Sequence, residues 1–235
     1  MFQPRLMTRL GLVGGLGPES TIDYYRRIID AWRSRNPGSA PPIVIDSLDV
    51  NRALWLVEHD MAGMVEYFLD SIHRLAAAGA DFAALTANTA HIAFDEIAAR
   101  SPIPLVSIVE TTAREAERRG LRRLVLLGTR FTMEAPFYPD VFGRSDITVI
   151  TPPESERAWV HERYVGELLV GKFTDQTRKE LLAIVARLRD AEGIDGVILG
   201  GTELPLILSS IEVSKLPALD TTALHVAALV DMLGA

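Results

Sequence analysis

Short apolar runs that end in glycine or small polar residues alternate along this chain with longer stretches whose apolar positions recur every three or four residues. Leu10 to Gly15 reads LGLVGG, a run suited to a strand buried on both faces of a parallel sheet. Glu19-Ser20-Thr21 then offers capping chemistry. Ile22, Tyr25, Ile28 and Ile29 keep helical spacing up to the break at Asn36-Pro37-Gly38. Further strands are expected at Ile43 to Asp46, Phe82 to Leu85 and Pro104 to Ile108, with a helix over Met61 to Ala78 and another after Thr89. Alternation of this kind predicts an α/β fold with a mainly parallel sheet flanked by helices, and ligands bound at the carboxyl ends of the strands.

The second half repeats the first. Gly79-Ala80-Asp81 before one strand corresponds to Gly193-Ile194-Asp195, 114 positions later, and Leu85 corresponds to Leu199. Arg9, Leu10, Leu12, Gly14 and Tyr24 return as Arg123, Leu124, Leu126, Gly128 and Tyr138 with the same displacement and no gap. An internal duplication predicts two similar lobes related by pseudo-two-fold symmetry, with a cleft between them as the default binding site. The returns at Ile103-Pro104 and Leu216-Pro217 set the expected boundaries: residues 1–104 with 217–235 in one lobe, 105–216 in the other.

Composition narrows the function. An apolar fraction of 48% with 23% charged residues describes an ordinary folded body. A net charge of −7 argues against nucleic acid as a partner, since phosphate binding draws on clustered Lys and Arg; the short basic runs, Arg26-Arg27 and Arg118-Arg119 with Arg122-Arg123, read as solvated faces. No apolar stretch is long enough to span a bilayer and the start of the chain carries no secretory pattern, so no membrane partner and a cytoplasmic location are expected. The absence of cysteine excludes disulfides, thiolate metal sites and thiol nucleophiles. His59, His73 and His161 have no partner at metal-ligand spacing, so no metal is expected.

Three turns carry the candidate chemistry. Gly14-Gly15-Leu16-Gly17-Pro18-Glu19-Ser20-Thr21 is a glycine-rich strand-to-helix turn whose backbone N–H groups suit an anion; as a dinucleotide fingerprint it is incomplete, Ser20 standing where a third glycine belongs, although Asp46 is placed like a ribose-binding acid. Thr86-Ala87-Asn88-Thr89-Ala90-His91 and Gly200-Gly201-Thr202-Glu203-Leu204-Pro205-Leu206 follow equivalent strands of the repeat, Ala87 matching Gly201, Asn88 matching Thr202 and Thr89 matching Glu203. Their hydroxyls, carboxamide and backbone donors suit a small carboxylate, whereas the plainer reading is the capping of two helices.

Taken together, these segments resemble the aspartate/glutamate racemase family, which carries a GGxGP turn near its start, a Cys-Asn-Thr-x-His turn and a Gly-Cys-Thr-Glu turn. Leu127-Gly128-Thr129 with Thr132-Met133 and Phe137-Tyr138, and Asp220-Thr221-Thr222 with His225, also look like family segments. At the two cysteine positions stand Ala87 and Gly201. In the family one thiolate removes the α-proton of an amino acid and the opposite thiol returns a proton, without a cofactor, so the resemblance implies neither pyridoxal phosphate nor any other cofactor. It also implies a homodimer and a small-molecule carboxylate or amino-acid ligand held by Gly14, Gly15, Ser47, Asn88, Thr89, Thr129, Thr202 and Glu203. With both vacated positions unable to carry a proton, normal two-cysteine racemisation is expected to be absent, and His91 and Glu203 are the titratable groups that could substitute. The alternatives are a lyase or decarboxylase on the same scaffold, and a non-catalytic ligand-binding regulatory protein.

Overall fold

The computed structural model describes residues 8–208 and 212–234 of the 235-residue chain. Among these, residues 8–107 with 225–234 form one compact unit and residues 108–208 with 212–224 a second.

The first unit is built from β1 (Leu10–Gly14), α1 (Pro18–Arg35), β2 (Ile43–Ser47), α2 (Val50–His59), α3 (Met61–Ala77), β3 (Phe82–Leu85), α4 (Phe94–Arg100) and β4 (Leu105–Val106). Its four strands are parallel in the order β2-β1-β3-β4. Strand side chains alternate between faces, and the core follows that period of two. Leu10 and Leu12 of β1 with Phe82 and Ala84 of β3 pack against Tyr24, Ile28 and Trp32 of α1. Val13, Ala83 and Leu85 on the other face meet Met64, Phe68, Leu69 and Ile72 of α3. Those α3 positions recur at helical spacing, and Asp60 caps the helix by accepting from Gly63 N at 2.9 Å.

The second unit contains α5 (Ile108–Arg118), β5 (Arg123–Gly128), α6 (Arg130–Glu134), α7 (Phe137–Gly143), β6 (Thr148–Ile150), α8 (Glu154–Gly166), α9 (Asp175–Glu192), β7 (Gly196–Gly200), α10 (Leu204–Ile207), β8 (Glu212–Val213), β9 (Leu216–Asp220) and the start of α11 (Thr221–Gly234). Strand order is β6-β5-β7-β9-β8, parallel except for the edge hairpin β8-β9. One apolar cluster runs from Leu124, Leu126 and Val197 to Leu181, Val185 and Leu188 of α9. From His225 onward α11 belongs to the first unit, where Val226, Leu229, Val230 and Leu233 join the cluster around Leu10 and Phe82.

The repeat seen in the sequence recurs as geometry inside each unit. Strand β1 pairs with β3 through Leu10↔Phe82 to Val13↔Leu85, and β5 pairs with β7 through Leu124↔Gly196 to Leu127↔Leu199, every residue displaced by 114. Arg9 N donates to the Asp81 carboxylate at 2.7 Å and Asp81 N to Arg9 O at 2.9 Å; Arg123 N donates to Asp195 at 3.0 Å and Asp195 N to Arg123 O at 2.8 Å. Gly79 and Gly193, the equivalent residues before these strands, both have positive φ, 85° and 63°.

Three expectations need correction. The strand expected over residues 104–108 is confined to Leu105–Val106, because Ile108 already opens α5. The crossovers lie after residues 107 and 224 rather than at 104 and 217: β4 hydrogen-bonds into the first sheet and β9 into the second, so each strand stays with the unit that completes its ladder. Capping of α1 by Glu19-Ser20-Thr21 is replaced by Gly17 at the cap with Pro18 in the first turn and no side-chain cap.

Candidate functional site

In the first unit the sequence-selected residues gather at the carboxyl ends of β1, β2 and β3. Gly14 lies in register with Ser47, and Val13 with Leu85, so the turns after all three strands emerge side by side. Gly15 has φ 76°, and a Cβ there would lie 2.5 Å from Leu48 N and 2.7 Å from Ser47 Oγ; only glycine lets the two turns meet. Leu48 N donates to Gly14 O at 2.9 Å, and Gly15 N donates to Thr21 Oγ1 at 2.8 Å. The Gly15 N–H is thus already engaged within the turn. Asp46 is held by Arg74 at 2.7 Å, an ion pair that accounts for its charge without a ribose.

The segment after β3 is anchored by Thr86, whose N and Oγ1 both donate to Val13 O, at 3.1 and 2.9 Å. Ala87 is half-buried, Asn88 is buried and Thr89 opens a 3-10 turn, Thr89–Ala93, before α4. His91 is buried, its ring stacked on Phe94 with centroids 4.8 Å apart, and Nδ1 donates to Ala87 O at 3.0 Å. A carbonyl can only accept, so the neutral ring carries its proton on Nδ1. Burial pulls the His91 pKa down to about 4 against the pull of the Ala87 and Asn88 carbonyls, so the ring is neutral at pH 7.

A second buried histidine escaped the sequence reading except as a family landmark. His225 on α11 donates from Nε2 to Val106 O at 3.0 Å, which leaves Nδ1 to accept from the Tyr24 hydroxyl at 2.9 Å. Burial, with a smaller repulsion from His91, lowers its pKa to about 3.

In the second unit the equivalent strand ends carry Thr129 and the 200–206 turn, brought together by the register Gly128↔Gly200. The Thr129 hydroxyl caps α6, accepting from Thr132 N at 3.2 Å. Thr202 and Glu203 are both buried, and the Thr202 hydroxyl donates to Glu203 Oε2 at 3.0 Å. Sequence reasoning missed Tyr164 altogether. It projects from α8 over Gly201, where a Cβ would lie 2.7 Å from its Oη and 2.8 Å from its Cζ, and its hydroxyl donates to Glu203 Oε2. Burial, then the neighbouring Glu203 charge, pushes its pKa well above the usual tyrosine value. The signal in the sequence was indirect: a glycine where a side chain is expected implies that something else fills the space. Among the described residues no group of three or more His, Asp or Glu side chains could hold a metal ion.

A twofold repeat of parallel α/β units with polar turns at equivalent strand ends is the architecture of an amino-acid racemase scaffold, and comparison with known proteins agrees. The model for the Asp/Glu/hydantoin racemase family matches residues 13–229, and the chain belongs to that family. It is 27% identical over 221 residues to the broad specificity amino-acid racemase RacX of Bacillus subtilis, covering 91% of this chain and 93% of the relative. A crystal structure of an assigned Asp/Glu racemase from Yersinia pestis superposes with a TM-score of 0.86 at 32% identity, covering 97% of this chain and all of that one. An aspartate racemase homologue from Pyrococcus horikoshii gives 0.83 at 31% identity with the same coverage. Among the described residues no helix is long and apolar enough to cross a membrane.

Proposed function

We propose that this protein binds a small amino acid or dicarboxylate without a cofactor and does not carry out two-base racemisation. The observation that carries this reading is the pair Ala87 and Gly201, which occupy equivalent places after β3 and β7 and offer no proton to either face of a substrate. The family membership supports the ligand class, and RacX, a broad specificity amino-acid racemase, supports an amino acid within it. His91 is a poor replacement base: a pKa near 4 means that its conjugate acid is strong and its proton affinity low at pH 7. The binding groups we assign are Ser47, Asn88, Thr89, Thr129, Thr202 and Glu203, with Gly14 and Gly15 shaping the turn that carries Ser47's neighbour Leu48. A homodimer is the working form we assign by resemblance, and the cytoplasm is the location we assign to it.

Calorimetry with the two enantiomers of aspartate and glutamate, succinate and malate tests the reading. Thr89→Val should weaken binding about ten- to a hundred-fold, the value of one hydrogen bond to a charged group, while leaving the thermal transition in place. Binding of none of these compounds by the unmodified protein, or unchanged affinity in the variant, would count against it.

A further inference from the structure

Helices α8 and α9 of the second unit leave a groove between them of about 420 Å³, within the roughly 300–1,000 Å³ range of small-molecule sites. Helical spacing produces it. Glu180, Ala183, Ile184 and Arg187 share one face of α9, and Glu156 and Trp159 share one face of α8. Ala183 contributes only a methyl group where Trp159 contributes an indole, so the two helices surround the space without filling it. Ile184 is buried and Trp159 packs against the core of the unit, which makes the lining apolar between its charged groups.

The charges in the groove do not cancel. The Arg187 guanidinium grips Glu156 with two parallel bonds, Nε to Oε1 at 3.0 Å and Nη2 to Oε2, so this pair is internally balanced. Among the described residues Glu180 forms no ion pair; its carboxylate accepts from the neutral Gln176 side chain at 2.5 Å. One negative charge is left beside an aromatic ring. The Trp159 ring already draws one cation, the Arg163 guanidinium, to 5.7 Å from its centre. An anion in the groove would meet Glu180 with Arg187 already committed, whereas a cation would meet a carboxylate and an indole.

We propose that the groove between α8 and α9 is a second ligand site, apart from the strand-end turns, that takes a small aliphatic amine or guanidine. The charged head lies against Glu180 and the Trp159 ring, and the hydrocarbon stem lies over Ala183 and Ile184. The volume suits one such molecule.

NMR of the nitrogen-15-labelled protein reads the groove through the Trp159 indole resonance, assigned by its loss in Trp159→Phe. Agmatine and n-butylamine should shift that resonance saturably at millimolar concentrations. n-Butanol and butyrate, the neutral and anionic counterparts of n-butylamine, should bind about ten-fold more weakly, the combined value of one half-exposed ion pair and one ring contact. Glu180→Gln should weaken agmatine about three- to five-fold. Ala183→Leu, which fills the groove and leaves Glu180 and Trp159 in place, should abolish the saturable shift. No saturable shift with either amine, equal binding of n-butanol, or unchanged agmatine affinity in both variants overturns the site. A response to an arginine-bearing peptide with none to the free amines overturns it in favour of a protein partner. Should Ala183→Leu fail to fold, Glu180→Gln and the comparison of n-butylamine with n-butanol decide.

Discussion

Two histidines buried in neutral form make stability depend on pH with a definite sign. His91 is lowered from 6.5 to about 4 and His225 from 6.5 to about 3, burial being the main cause in each. In the unfolded chain both rings protonate near pH 6.5, whereas the folded protein holds them neutral down to those lower values. The unfolded state therefore binds more protons throughout the interval, and stability must rise with pH across it. The full contribution is present above pH 6.5 and is lost as pH falls through 6 and 5. Each ring gives a slope of ~1.4 kcal/mol per pH unit well inside the window, so at pH 5 each removes about 2 kcal/mol and the two together about 4 kcal/mol. That is a large part of the 5–15 kcal/mol typical of whole domains. The carboxylates enter later: Glu115, hydrogen-bonded by Arg118 and held at about 2 against a usual 4.5, contributes stability that is lost only below pH 4.5. Urea unfolding followed by circular dichroism at half-unit steps from pH 7.5 to 5.0 isolates the histidine window. His225→Gln should reduce the slope by about half. A free energy flat from pH 7 to pH 5, or a slope untouched by substitution of either histidine, would refute the assignment of buried neutral rings.

The other predictions concern single contacts. Gly15→Ala should cost about 2–4 kcal/mol, combining the positive φ with the collision against Leu48, whereas Gly38→Ala, with φ 80° and open space around it, should cost only ~1 kcal/mol; paired urea melts compare the two. Gly201→Ala should cost about 1–3 kcal/mol through overpacking against the Tyr164 ring, and shortening the ring in Tyr164→Ala, Gly201→Ala should remove most of that increment in a double-mutant cycle. Tyr24→Phe should lose about 1–2 kcal/mol, because His225 Nδ1 is left buried without the tyrosine's proton, with thermal unfolding as the readout.

Much of the fold was legible in the sequence because strands buried on both faces write themselves as apolar runs. Phe82–Leu85 and Leu10–Gly14 could be read almost to the residue, and the 114-residue displacement found in the sequence recurs in the strand register and in the Arg–Asp brackets before the strands, neither of which the sequence pattern had itself announced. Short elements were harder. Strand β4 has two ladder residues, too few for any periodicity, so its boundary was set by Pro104 and overshot into α5. The candidate turns were legible as strings of small and hydroxyl residues, yet their use of backbone donors was not: Gly15 N is consumed by Thr21, six residues along. Tyr164 and the Tyr24–His225 bond depend on contacts between residues 37 or more positions apart, which no local pattern encodes. Tyr164 fills the volume that any side chain at residue 201 would need.

The most direct measurement is NMR of D- and L-aspartate and D- and L-glutamate in deuterated water with the unmodified protein, followed by chiral chromatography. Inversion requires a base on one face of the α-carbon and a donor on the other, and neither Ala87 nor Gly201 supplies one. The account predicts that the α-proton signals persist and that each enantiomer is recovered unchanged, even at concentrations that saturate binding. Rapid α-deuterium incorporation with inversion of configuration would contradict it and transfer the catalytic role to His91, Glu203 or Tyr164.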